Sequence, residues 1–237
     1  KDIVVVGAAR TPQGRMLGAL AKKSSVDLGA ETIKAVLERS GVAAGDVDYV
    51  LMGQVVQAGS GQNPAKQSAV AAGIPMNVPA MTVNKVCLSG LDAVINASRL
   101  IRLGDASIVV AGGQESMTNA PHIAAGVRAG KGYGSLALQD SLERDGLSDP
   151  NEGTAMGLET DEGNAERGIT REEQDEIAAR SHQLAEAATN EGVFAEEIVP
   201  IEVKGRKETV TVTADEGIRP GTTACLLYTS PSPRDLS

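Results

Sequence analysis

The sequence predicts an α/β fold, a mostly parallel sheet covered by helices. Two observations carry this. Strand-like apolar runs alternate with segments of helical period through residue 113. The hydrophobic content, 41% of 237 residues, is almost wholly aliphatic, with 3 Tyr, 1 Phe and no Trp. Such a chain packs through close aliphatic contacts, and it is long enough for one large domain or two small ones.

Ile3 to Val6 is an unbroken β-branched run stopped by Gly7, the pattern of a strand buried on both faces. Val26, Ala30, Ile33 and Leu37 recur at helical spacing, and Gly41 supplies the stop. Val47 to Met52 reads as a second strand. Asn63 is placed to cap the next helix, with Pro64 at the first helical position, where its missing N–H costs nothing. Val78 to Val83 is a third strand. Leu91, Val94, Ile95, Ser98 and Ile101 form one apolar stripe of a third helix ending near Gly104, and Ser107 to Ala111 is a fourth strand closed by Gly112 and Gly113. Residues 114–165 lose this periodicity and read as a functional loop excursion. Thr170 to Glu173 has the form of a capping box opening a helix over 171–191, with Ile177, Ser181, Leu184 and Ala188 on one side. Ile198 to Val203 and Thr209 to Thr213 are strand candidates joined around 204–207. The last residues, CLLYTSPSPRDLS, are rich in Ser and Pro and aperiodic. Cys225 to Asp235 resembles the in-frame translation of a sequencing-library adapter, so 225–237 is set aside as a non-native tail.

The balance of 22 Lys and Arg against 31 Asp and Glu, net −9, argues against a nucleic-acid surface but leaves room for a phosphorylated ligand held by a few cations. Two cysteines make no disulfide framework, and with His122 and His182 as the only histidines no zinc site is expected. No run approaches the length of a membrane span, and the apolar run at 3–6 is too short for a signal peptide. A soluble, reducing, cytoplasmic setting is expected, and a first residue other than Met reads as a chain cut at its front.

The chemistry-bearing candidate is Cys87, between a strand and the start of a helix. A thiolate there faces unpaired N–H groups and the positive end of the helix, an environment in which cysteine pKa values fall from about 8.5 toward roughly 3.5–7.5. The same N–H groups can stabilise the oxyanion formed when a thiolate attacks a thioester. Small Ser89 and Gly90 leave space for a substrate. Position alone also allows a small buried hydrophobe, which is what most free cysteines are.

The stretch TVNKVCLSGLDAV at 82–94 closely resembles the active-site cysteine motif of thiolases, the acetyl-CoA acetyltransferases and 3-ketoacyl-CoA thiolases. DIVVVGAARTPQGR at 2–15, GQNPAKQ at 61–67, DASIVVAGGQESMTNAPH at 105–122, DGLSDP at 145–150, TREEQD at 170–175, EEIVPIEVKGRK at 196–207 and DEGIRPGTT at 215–223 continue the resemblance in order through residue 224. The details are closer to the acetyl-CoA branch.

The resemblance implies the thiolase fold, two similar α/β halves stacked as α-β-α-β-α layers, truncated here to most of the first half (1–117) plus a loop domain covering CoA (118–224). It implies a ping-pong acyl transfer, in fatty-acid degradation or in Claisen condensation, through an acyl-cysteine at Cys87, whose N–H supplies half of an oxyanion hole. Met156 matches a methionine beside the pantetheine–thioester end, and Arg219 an arginine against the CoA nucleotide, while Ala155 stands where several relatives have histidine. Acyl-CoA and CoA are the implied partners, as substrates, with no separate cofactor and no metal. Nucleic acid and membrane are not expected partners. Homodimers or homotetramers are expected of the full-length protein, with 61–64 near the dimer contact. The family's Gly-His-Pro histidine, second cysteine and Asn-Glu-Ala-Phe motif are not found in residues 1–224, so this chain alone is expected to lack the acid/base machinery for turnover. Apolar surface left without its second half is expected to favour poor solubility. Two rival readings remain. A ketoacyl synthase shares the fold, but its cysteine neighbourhood is Ala-Cys-Ser-like. A non-catalytic thiolase-like acyl-CoA-binding or assembly protein is left open by the missing half.

Overall fold

The computed structural model describes residues 2–205 and 207–228. They divide into two compact units: Lys1–Gly146 with Glu197–Glu216, and Leu147–Glu196 with the residues from Gly217 on. The expected loop segment 118–224 is thus shared between them.

The first unit is built on a parallel three-stranded sheet in the order β2-β1-β3, with β1 at Tyr49–Gly53, β2 at Ala80–Val83 and β3 at Val109–Gly113. Both faces of β1 are covered, because successive side chains point to opposite sides. Val50 and Met52 pack with Ile33 and Leu37 of α1 (Ser25–Ser40) and Ala65 and Ala69 of α2 (Pro64–Ala71). Leu51 packs on the other face against Ala93 and Ala97 of α3 (Ser89–Leu103). The predicted punctuation is present: Gly41 and Gly104 end α1 and α3 in the left-handed region, and Asn63 Oδ1 accepts from the Lys66 N–H to cap α2. A short β4 (His122–Ile123) pairs antiparallel with β5 (Gln139–Asp140). The predicted hairpin forms as β6 (Ile201–Lys204) and β7 (Thr209–Val212), burying Ile201, Val203 and Val212 against Leu20. Its turn contains Arg206, which lies outside the described residues.

The expected strand at 3–6 is not formed. Val4, Val5 and Val6 are 72%, 83% and 64% exposed. β3 is hydrogen-bonded to a strand on one side only, and an apolar cavity is lined by residues 3–7 and by Val109, Val110 and Ala111 of β3. β-branched residues favour an extended backbone, but a strand exists only where a neighbour completes the ladder. The stripe predicted on α3 is also not the buried one: Leu91, Val94 and Ile95 are 57%, 44% and 36% exposed, while Ala93 and Ala97 face the sheet. Close approach of helix to sheet selects the small residues.

The second unit holds α4 (Met156–Glu166), α5 (Arg171–Asn190) and α6 (Ala224–Tyr228). The capping box at Thr170 and Glu173 is complete. Ile177 and Leu184, expected on the packed side of α5, stand in solvent, and Asp175 and Ala179 are buried instead. This side is held by polar contacts, Arg171 to Asp175 at 3.0 Å and to the Leu227 carbonyl at 2.9 Å, and Gln183 to the Thr222 carbonyl at 3.0 Å. A hydrophobic pattern does not register such a face. The acidic helix α4 was not predicted, for the same reason. Of the segment read as a non-native tail, 225–228 lies in α6 and 229–237 lies outside the described residues. Among the described residues no helix is long and apolar enough to cross a membrane.

Candidate active site

The three parallel strands end level, at Gly53, Val83 and Gly113, and their carboxyl ends face the region where ligands bind in open α/β sheets. Cys87 lies there, in the turn that leads from β2 into α3, with its residue exposed to solvent and its thiol free. It comes directly before Leu88, the cap of α3.

The turn is tightly tied. Asn84 Oδ1 accepts from the Val86 N–H at 3.0 Å, an Asx turn, while its Nδ2 donates to the Val55 carbonyl at 3.2 Å. Val86 takes φ +50°, a left-handed conformation that is uncommon for a β-branched residue. The Leu88 N–H donates to the Lys85 carbonyl and the Ser89 N–H to the Val86 carbonyl. Ser89, 4% exposed, accepts from the Lys85 N–H at 2.8 Å and donates to the Val86 carbonyl at 2.5 Å through the same oxygen. None of these bonds uses the Cys87 N–H. Lys85 makes an ion pair with Asp92 at 2.9 Å, and its hydrogen bond, against an opposing effect of burial, holds the Asp92 carboxyl below its ordinary range. The cation nearest Cys87 in sequence is therefore already paired.

Around the turn lies a buried polar frame. Gln54 and Gln114 are joined at 3.1 Å, and the Ser68 hydroxyl donates to Gln114 at 2.6 Å. Glu115, half-buried, accepts from the Val55 and Val56 N–H groups at 2.8 and 3.2 Å; burial raises its pKa against the pull of those two donors. These bonds set the loop that carries the Val55 carbonyl, the partner of Asn84.

The other predicted site residues lie in the second unit. Met156 opens α4 and is 36% exposed. Arg219 is exposed, its N–H donating to His182 Nδ1 at 3.3 Å and its carbonyl accepting from the Thr222 hydroxyl at 2.6 Å. His182 is thereby engaged on α5, and His122 sits in β4 opposite Asp140. Among the described residues no group of three or more His, Cys, Asp or Glu could hold a metal ion. Sequence reading singled out Cys87 but not the residues that shape its turn. The available signal was an Asn two residues before the bend and a Ser two residues after the cysteine.

A profile of the family described as "Thiolase, N-terminal domain" matches residues 3–231. The chain is 52% identical over 222 residues to the probable acetyl-CoA acetyltransferase of Mycobacterium leprae, covering 93% of this chain and 56% of that protein. It is also 52% identical to the acetyl-CoA acetyltransferase of Cupriavidus necator, covering 94% of this chain and 57% of that one. The crystal structure of the Bacillus anthracis acetyl-CoA acetyltransferase superposes with a TM-score of 0.91 at 36% identity, over 95% of this chain and 57% of that chain. The chain spans about half the length of the curated relatives it matches.

Proposed function

This chain belongs to the thiolase family through its match to the amino-terminal domain, and from that premise we propose that it is the acyl-accepting part of an acetyl-CoA acetyltransferase. The observation that carries the reading is the position of Cys87, exposed in a fixed turn at the carboxyl ends of three parallel strands and directly ahead of α3.

In the proposed step the Cys87 thiolate attacks the carbonyl carbon of an acyl-CoA. The carbonyl electrons move onto oxygen, and the Cys87 N–H, unused by the turn, donates to that oxyanion. Collapse of the tetrahedral adduct breaks the bond to the CoA sulfur, which leaves as a thiolate and takes a proton from water. The acyl group then sits on Cys87 as a thioester, dividing one transfer into two easier steps. The second step, attack by CoA or by the enolate of acetyl-CoA, needs a base. Neither His122, in its ladder with Asp140, nor His182, accepting from Arg219, is assigned that role. The base is assigned to the portion of the relatives that this chain does not span.

Met156 and Arg219 are proposed to contact CoA. A guanidinium free to reach solvent suits stacking on adenine and attraction of phosphate. A free, exposed Cys87 suits a reducing, cytoplasmic setting, and the full-length protein is proposed to be a homo-oligomer.

The test is incubation with acetyl-CoA and with acetoacetyl-CoA, an acid quench, and peptide mass spectrometry. An acetyl group on Cys87 alone, blocked by prior iodoacetamide, is expected. Its absence, or a label placed elsewhere, contradicts the assignment of Cys87. Steady cleavage of acetoacetyl-CoA above that of Cys87→Ser contradicts the claim that this chain lacks the base.

A further inference from the structure

We infer that Ser89 is a positioning residue for Cys87, holding Val86 in its left-handed conformation so that the cysteine sits at the head of α3. The inference rests on the reading of Cys87 as nucleophile and adds to it the residue that sets its geometry. Ser89 is two residues from Cys87, faces away from solvent at 4% exposure, and touches no reacting atom.

The argument starts from the backbone. A β-branched residue at φ +50° crowds its β-carbon against the backbone, so Val86 needs outside restraint to stay there. The Ser89 hydroxyl supplies it from both sides. It accepts from the Lys85 N–H, one residue before Val86, and donates to the carbonyl of Val86 itself. One oxygen thereby ties the peptide unit before Lys85 to the one after Val86, closing a ring that spans the strained residue. Asn84 completes the hold through the Val86 N–H.

Ser89 is itself tightly packed. A β-carbon on Gly53, the last residue of β1, would lie 2.5 Å from the Ser89 carbonyl carbon, 2.6 Å from the Gly90 nitrogen and 2.7 Å from the Ser89 β-carbon. The start of α3 therefore rests directly on the end of the central strand, and only a glycine at position 53 permits it. The rigid sheet fixes Ser89, Ser89 fixes Val86, and Val86 fixes the direction in which Cys87 leaves the turn. Without the hydroxyl the Lys85 N–H loses its partner and the Val86 carbonyl keeps only the Ser89 backbone N–H, and the restraint on Val86 against relaxing toward negative φ is weakened. That rotation would carry Cys87 away from the helix head, where the field favours a thiolate.

The experiment uses this chain and the variants Ser89→Ala, Val86→Gly and the two combined. Iodoacetamide alkylation of Cys87 is followed by peptide mass spectrometry, with Cys225 in the same chain as the internal rate reference. The ratio of the Cys87 rate to the Cys225 rate is expected to fall about twofold to fivefold in Ser89→Ala, the range of a helix-terminus effect on one charge. Adding Val86→Gly, which takes positive φ without strain, is expected to restore most of the loss. Rescue by a change that restores no hydrogen bond separates positioning from lost packing, which Val86→Gly would not repair. Should Ser89→Ala alone fold poorly, the comparison of the double variant with Val86→Gly decides: near-equal ratios support the inference, and a fall as large as that from parent to Ser89→Ala overturns it. An unchanged ratio in a folded Ser89→Ala overturns it directly. A parent chain that alkylates at Cys87 but takes no acetyl group from acetyl-CoA counts against the nucleophile reading, while the alkylation ratios still decide the role of Ser89.

Discussion

At φ +50°, Val86 keeps a conformation that most residues leave to glycine, and the atoms bonded to its N–H and carbonyl lie on Asn84 and Ser89. The cost is local and is met by the surrounding fold, as is common where a side chain must be aimed. Asp48 shows the opposite economy, a charge that stabilises simply by its position. Its carboxylate accepts from the Ile108 and Ser107 N–H groups at 3.0 and 2.7 Å, ahead of β3, and these donors hold its pKa below the ordinary 3.8. A carboxyl depressed in the folded state contributes stability that is fully present above its unfolded pKa and is lost as pH falls through the folded one. Asp48→Asn is therefore expected to unfold at lower urea than the parent at neutral pH, and the gap should close as pH drops below 3.8. A gap of constant size down to strong acid would mean that the charge contributes nothing.

Among the elements, α3 bears most on the site, since its first turn carries the cysteine's support and its buried face is made of alanines. Ala93 and Ala97 let the helix lie close on Leu51, and Gly53 lets its first turn meet the strand end. Gly53→Ala would place a methyl group against backbone atoms that cannot give way as a flexible side chain could. We expect a loss of about 1–3 kcal/mol, as for an overpacked core, together with a slower reaction of Cys87 with iodoacetamide. Denaturant unfolding and site-resolved alkylation measure the two effects. An alanine tolerated without either effect would show that the approach of helix to strand is looser than the geometry requires.

Over the whole molecule, the notable feature is apolar surface in water. Val4, Val5 and Val6 are exposed beside the unpaired edge of β3, and Leu91, Val94 and Ile95 are exposed on α3. Contiguous apolar area of this kind marks a surface meant for burial, or else a route to aggregation. The chain covers only about half of its relatives' length, 56% for the Mycobacterium leprae protein, and we propose that the remaining half of the full-length protein covers these surfaces. The prediction is self-association of this chain that falls when Leu91→Glu and Ile95→Glu are introduced together, with the unfolding midpoint little changed. Sedimentation velocity at several concentrations tests it. Equal association in the parent and the double variant would place the sticky surface elsewhere.

The sequence by itself determined much of this protein. The alternation of strands and helices through residue 113, the caps at Asn63 and Thr170, the stops at Gly41 and Gly104 and the 201–212 hairpin were all legible. Each depends on local backbone preference, which neighbouring residues encode. The position of Cys87 between strand and helix was legible for the same reason. What tertiary structure alone decided depends on partners distant in the chain. Residues 3–6 have every preference of a strand and form none, because no strand pairs with them. The aliphatic stripe of α3 gave way to its alanines, because the distance from helix to sheet, not hydrophobicity alone, selects the packed face. α5 turned its polar side inward, because Arg171 and Gln183 found partners more than thirty residues away. At the site, the nucleophile candidate could be read from the local sequence. The restraint on it could not, since it depends on a glycine in another strand and on a serine whose burial only the assembled sheet creates.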